Sequence, residues 1–480
     1  MIAYVDAAGG NDANSGDSPG QAWRTLARAS REVWGPGDQV RLRRGSRWPE
    51  GIRLMGRGSK KHPITLGAYG DGPRPRIDGG DDHAIAGRGP ISAWRIEGLE
   101  LTSANARNPT RKITGGTCGV FVAQEEVCEG LTIVDCAIHD TSGPGIYLLA
   151  AGGPKPVFPE VVIENCEISN ASCGIQFLSR PTYAWDYFPR FRIARCTVHD
   201  IGGDGIVPFC SRDGVVEHCT AYRTGLGVAP EDHSPVAIWY AWAQRCTIQF
   251  CEAYDNHTGG HPADGGGFDL DGGCEDCVLQ YNYSHDNDGA GYLICSWDPQ
   301  QWPCTGAVCR YSLSVNDGLA NDYSSVLFWQ SVDCRVYNNT CLTRTASPLK
   351  FTSDTRGHLI ANNIFSVQSP EDVPVVKSAF DISRNRFRNN LFHRGAGGLR
   401  FEIQGRQILS LREFDALVGA EGQIEGDPGL VGAAAGDVHL RPDSPCRGGG
   451  VRVDEGGGRD YYGAHVPESG PVDIGCAAAG

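Results

Sequence analysis

PVAIWYAWAQRCTIQFCEAYDNHTGGHPADGGGFDLDGGCEDCVLQYNYSHDNDGAGYLICSW spans Pro235 to Trp297. Within it, CTIQFCEAYDN (246–256) and CVLQYNYSHDN (277–287) match in character position by position. Each reads as a short alternating strand ending in a polar turn. Each is followed by glycine and a second short strand, GGFDLD (266–271) and GYLICS (291–296). A repeat of this length, built from strands and turns, predicts a solenoid.

The unit recurs along the chain as LTIVDCAIHD (131–140), VVIENCEISN (161–170), FRIARCTVHD (191–200) and GVVEHCTAYR (214–223). After the two central copies it continues as VCRYSLSVND (308–317), CRVYNNTCLT (334–343), HLIANNIFSV (358–367) and RFRNNLFHR (386–394). Alignment brings one column into register: Cys136, Cys166, Cys196, Cys219, Cys251, Asn282, Ser312, Asn339, Asn363, Asn390. In a coiled parallel sheet, equivalent residues of neighbouring coils lie about 4.8 Å apart. Small cysteines stack there as hydrophobes. Asparagines stack amide to amide and satisfy one another inside the core. The expected fold class is all-β, a single-stranded parallel β-helix of about ten or more coils, capped by a short helix at the N-terminal end.

That column also bears on the 19 cysteines. At least five of them are ladder members that need no partner. Bridges between Cys274 and Cys277, or Cys304 and Cys309, stay open, as does a zinc site at Cys274-Glu-Asp-Cys277. No second pair of ligands follows at finger spacing. Composition agrees with a turn-rich β protein: Gly 65, Pro 28, Met 2. No stretch approaches the ~18 apolar residues of a membrane span. No basic and hydrophobic leader opens the chain, and a secreted or periplasmic location is expected for a mature chain lacking its signal peptide. Lys+Arg 43 against Asp+Glu 57 gives a net charge of −14. This disfavours nucleic acid and anionic membranes as partners, since both need a basic footprint.

In chain order, residues 1–105 read as an entry cap with a helix over about Trp23–Arg31, and 106–395 as the repeat body. Residues 396–480 hold a helix over 408–419 and a Gly-rich terminal cap, all in one continuous domain. The stretches YVDAAGGNDANSG, SPGQAWRTLARA, PGDQVRLRRGSRW and HPITLGAYGDGPRPRIDGG lie in the entry segment. Together with the Asn ladder 282–390 and the tail EGDPGLVGAAAGDVHLRPDSPCRGGG, they resemble the bacterial right-handed parallel β-helix proteins of the pectate-lyase-like superfamily. The resemblance implies the fold and a carbohydrate-active protein, either a glycoside hydrolase or a polysaccharide lyase. It carries no catalytic signature.

The chemistry is sought where one coil departs from its copies. GFDLDGG places Asp269 and Asp271 at i and i+2, on one face of a strand, with Phe268 and Leu270 toward the core. Both carboxylates are expected to stand exposed. Their Cα separation of about 6.5–7 Å falls within the range of glycosidase pairs. Asp264 lies in the loop upstream, and Glu231, Asp232 and His233 occupy the loop of the preceding coil. The preceding copy has Ile238 and Tyr240 where this coil has its acids. Asp140, Asp200, Asp286 and Asp288 recur at one turn of successive coils and read as turn residues. Tyr240, Trp242, Trp297 and Trp329 are candidate sugar-stacking rings, while strand parity points Trp239 inward. His261 borders the face. Lys350 belongs to the equivalent strand three coils on, about 14 Å away.

Three readings follow. The first is a glycoside hydrolase needing no cofactor, with Asp269 and Asp271 as the acid/base pair aided by Asp264. The second is a calcium-dependent lyase, with Asp264, Asp269 and Asp271 holding Ca²⁺ and Lys350, His233 or Arg344 as base. The third is a glycan-binding protein without catalysis. In each the partner is an oligo- or polysaccharide.

Overall fold

The computed structural model describes residues 1–103, 116–153, 155–227, 234–369, 372–433, 436–454 and 456–478. Contacts group the chain into two compact units, Met1–His233 and Ser234–Gly480. Glu231, Asp232 and His233 lie outside the described residues.

Each unit is wound from coils of three short strands. In the N-terminal unit, Leu131–Val134, Ala137–His139 and Ile146–Ala150 form one coil. Each pairs in parallel with its counterpart on the next coil, Leu131 opposite Val161, Ala137 opposite Glu167 and Ile146 opposite Ile175. In the C-terminal unit, Val278–Gln280, Tyr283–His285 and Tyr292–Cys295 form a coil in the same way. Val278 pairs Val308, Tyr283 pairs Leu313 and Tyr292 pairs Val326. Three parallel sheets result in each unit, and β-branched, leucine and aromatic side chains fill the space between them.

The corner between the first and second strands of a coil is made by one residue. Just before every member of the aligned column the backbone is left-handed, at Asp135, Asn165, Arg195, His218, Phe250, Tyr281, Tyr311, Asn338, Asn362 and Asn389. Such a conformation costs about 1–2 kcal/mol in an L-residue. The column offsets it. Asn339 Nδ2 donates to Asn363 Oδ1 at 3.0 Å, Asn363 Nδ2 to Asn390 Oδ1 at 2.9 Å and Asn390 Nδ2 to Gln423 Oε1 at 3.0 Å. The backbone N–H of each ladder member donates to the next side chain as well. The cysteine part stacks with weaker bonds, such as Cys196 N to Cys219 Sγ at 3.5 Å.

All 19 cysteines are buried free thiols. The bridges left open for Cys274–Cys277 and Cys304–Cys309 do not form. Cys274 and Cys277 instead donate to the carbonyls of Tyr240 and Ala243 of the coil before. The N-terminal helix is a single turn, Leu26–Ala29, capped by Thr25. The C-terminal helix is Leu411–Val418, with Ser410 at its N-cap and Gly419 left-handed at its end. Among the described residues, no helix is long and apolar enough to cross a membrane.

The turn aspartates do more than cap backbone. Asp140, Asp200 and Asp286 are themselves left-handed, and each accepts from the imidazole of the preceding histidine at 2.7–2.9 Å. Asp288 caps the N–H of Thr258, as a turn residue should.

Candidate active site

The strand Gly266–Leu270 lies in the third sheet of the C-terminal unit, between Val236–Tyr240 and Tyr292–Cys295. Phe268 and Leu270 are fully buried in the core, as the alternation requires. Asp269 therefore points away from it, in register with Trp239 on one side and Leu293 on the other. This corrects the expectation for two aromatics. Tyr240 pairs with Leu270 and faces the core, its hydroxyl donating to Thr247 O at 3.0 Å, while Trp239 shares the outer face with Asp269.

The expectation that both carboxylates are exposed also fails. Asp269 is 1% exposed, and Asp271 is only partly buried. The outer face is roofed. Leu293, Cys295 and Leu327 are buried on it, with Tyr323 and Trp329 packed against them. The loop carrying Asp264 meets the loop carrying Asn321, whose Nδ2 donates to Asp264 O at 2.7 Å. Gly289 is needed for this approach, since a Cβ there would lie 2.2 Å from Asp264 O. Asp264 is half-buried and left-handed, a conformation aspartate tolerates.

Asp269, Asp271 and Cys295 bring ligand-type atoms within 4.8 Å of one another. Two charges that close repel by at least about 3 kcal/mol at an effective dielectric of 20, so the pair favours holding a proton. Burial pushes Asp271 up to about 7, and the charge of Asp264 adds to that rise. Cys295 and the Gly272 N–H, which donates to Asp271 Oδ1 at 2.6 Å, pull the other way. Cys295 also donates to Asp269 Oδ1 at 3.6 Å. Burial, together with the charges of Asp269, Asp271 and Asp264, holds the Cys295 thiol well above its ordinary range. It is a neutral donor, not a nucleophile.

Beside Asp271, the ring of Trp297 lies against Gly272, where a Cβ would sit 3.0 Å from it. Trp297 is 39% exposed and meets Trp242 edge-on at 5.1 Å, and Trp242 meets Trp302 at 5.9 Å. This is an open aromatic platform next to a carboxyl whose pKa burial raises.

Other expected residues stand further off. His261 Nδ1 accepts from Ala263 N at 3.1 Å and shapes its own loop. Lys350 does lie three rungs along from Asp269, through Leu293 and Leu327, and its ammonium pairs with Asp322 at 2.9 Å. Arg344 is exposed on a turn. Cys295 and Tyr323 are the residues that reading the sequence missed. Cys295 could have been found by carrying the parity of Asp269 and Asp271 one coil on. Tyr323 sits in a loop, where no periodicity applies. As a cation site the cluster offers two carboxylates and a thiol, unlike the six to eight oxygens calcium takes.

A family model described as "Right handed beta helix region" matches residues 159–301. The fold is a right-handed parallel β-helix. Among solved structures, the GH136 lacto-N-biosidase of Eubacterium ramulus is similar, with a TM-score of 0.58 at 20% identity over 78% of this chain and 65% of that one. Among sequences, the lacto-N-biosidase of Bifidobacterium longum is 24% identical over 75% of this chain and 28% of its own length. The alpha-1,3-galactosidase A of Akkermansia muciniphila is 36% identical over 65 residues, 14% of this chain and 11% of its own length. The chain thus spans under a third of either sequence relative.

Proposed function

We propose that this β-helix protein is a glycoside hydrolase acting on an oligo- or polysaccharide, secreted or periplasmic, with Asp271 as general acid. The reading is carried by a partly buried carboxyl that burial raises to about 7, beside an exposed tryptophan and within the field of the half-buried Asp264. An acid of that kind can protonate the leaving glycosidic oxygen near neutral pH. Trp297 offers its face to the sugar ring, and Asp264 supplies the negative charge that an oxocarbenium-like transition state needs. Asp269 is too covered to touch substrate, so in this reading it holds Asp271 and Cys295 in place from beneath.

The names of the two sequence relatives are those of glycosidases, which supports the same class. The lyase reading draws less support. Lys350 is engaged by Asp322, and the clustered donors include a sulfur.

The test is turnover of chromogenic lacto-N-bioside and α-galactoside, with reducing ends and ultraviolet absorbance followed together on a polysaccharide panel. Asp271→Asn and Asp264→Asn, each with unchanged melting, should lose about 10²–10⁴-fold in turnover. Asn also tolerates the left-handed backbone at 264. Wild-type turnover in both variants, or products that absorb as unsaturated sugars, would remove the proposal. The anomer released first assigns whether Asp264 attacks directly or through water.

A further inference from the structure

The N-terminal unit carries a second surface that the proposed chemistry does not use. On the outer side of its third sheet, Arg53, Ala86, Phe121, Tyr147 and Gln176 follow one another in register. Three rung steps from Arg53 to Tyr147 span about 14 Å. Two cavities of about 370 and 390 Å³ open along this line and share His83 and Arg88. Phe121 stacks on His83 at 4.4 Å and meets Tyr147 at 5.5 Å, so the floor is aromatic.

Its rim is basic. Arg88 and Arg180 line one cavity, and Arg31, Arg53 and Arg88 line the other. Among the described residues none of these four has an ion-pair partner, although the chain carries a net charge of −14. Among the described residues Asp82 is the one acid on the lining, and one of its oxygens caps His83 N at 2.8 Å.

A second observation calls for an acceptor at the same place. His83 Nδ1 accepts from Cys118 N at 3.0 Å, which assigns the ring proton to Nε2. Burial keeps the ring neutral by lowering its affinity for a second proton. Arg88 can only donate, yet its Nη2 stands 3.0 Å from that Nε2–H, while its guanidinium lies over Phe121 at 5.1 Å. Two donors thus face each other at 3.0 Å, an arrangement that an anionic oxygen within reach of both would relieve. An anionic oxygen placed there would accept from both.

We propose that this groove binds an acidic oligosaccharide, one that carries a carboxylate or sulfate on its sugar rings. The anionic groups are held by Arg88, with His83, and by Arg180. A sugar ring lies on Phe121 and Tyr147. The whole-chain charge argues against nucleic acid in the same groove.

Isothermal titration of a galacturonate tetrasaccharide and its neutral galactose counterpart into the full chain tests this. The wild type should bind the acidic sugar about tenfold or more tighter than the neutral one. Arg88→Gln combined with Arg180→Gln should weaken acidic-sugar binding by at least about tenfold while melting stays unchanged. Phe121→Ala should weaken both sugars. Asp271→Asn should bind as wild type, which separates this groove from the proposed hydrolytic site. Equal affinity for the two sugars, no binding of either, an unaffected double arginine variant, or equally tight binding of single-stranded DNA of the same charge would overturn it.

Discussion

Asp269 and Asp271 leave the same strand two residues apart and differ in what covers them. Asp269 sits mid-strand between Trp239 and Leu293 and is buried, while Asp271 follows the strand end beside Gly272 and the Trp297 ring and is only partly buried. Their placement has a consequence for stability. A carboxyl whose folded pKa is raised binds more protons in the native state than in the unfolded chain between its two pKa values. Stability must then fall as pH rises through that window. For Asp271, raised to about 7, the window runs from about 4 to about 7. Asp317, buried under Ser314 and Asn287 and raised to about 6, contributes in the same direction. In denaturant unfolding from pH 4 to 7, the wild type should lose stability relative to Asp271→Asn as pH rises. A difference between the two proteins that does not change with pH would mean that the carboxyl ionises freely. The pairing of two acids in one coil was legible in the sequence because the neighbouring copies lack them. Their burial was not, because it depends on loops that meet from separate coils at Asp264 and Asn321.

The ladder is the element that sets register. Each member satisfies its own polar atoms only while its neighbours are in place, so one deletion leaves several buried groups unpaired. Asn363 accepts from the N–H and the amide of Asn339 and donates to Val336 O and Asn390. Asn363→Ala should cost about 3 kcal/mol in chemical denaturation, given a loss of about 1–3 kcal/mol for each unsatisfied buried group. Cys166→Ala, which removes one stacked sulfur, should cost about 1 kcal/mol. Equal costs would mean that the amides only fill space. This column was readable directly, since ten copies share it. The phase of the strand IWYAW was not. Every residue in that run is apolar or aromatic, so nothing in it marks which side faces water, and Trp239 and Tyr240 exchange places relative to expectation.

Across the whole molecule, the thiols are inert by position. Burial raises the thiol at positions such as Cys128, to about 12, and Cys210, to about 11, while at Cys334 burial is outweighed by hydrogen bonds from Cys304 and His358, which bring it down to about 6. A thiol reagent should label almost none of the 19 in the native protein and all of them in denaturant, and reductant should leave melting unchanged. Fast labelling of several would contradict the stacked core. The acidic net charge belongs to the exposed surface as a whole and masks the local basic groove of the N-terminal unit, which composition alone could not reveal.

In the proposed reaction Asp271 delivers a proton to a glycosidic oxygen. The pH dependence of kcat/KM on a hydrolysed glycoside tests it most directly. The wild type should lose activity as pH rises above about 7, the value to which Asp271 is pushed, and Asp271→Asn should lack that limb along with most of the rate. A wild-type profile that stays flat well above pH 7, or an Asp271→Asn variant with the wild-type rate and limb, would contradict it.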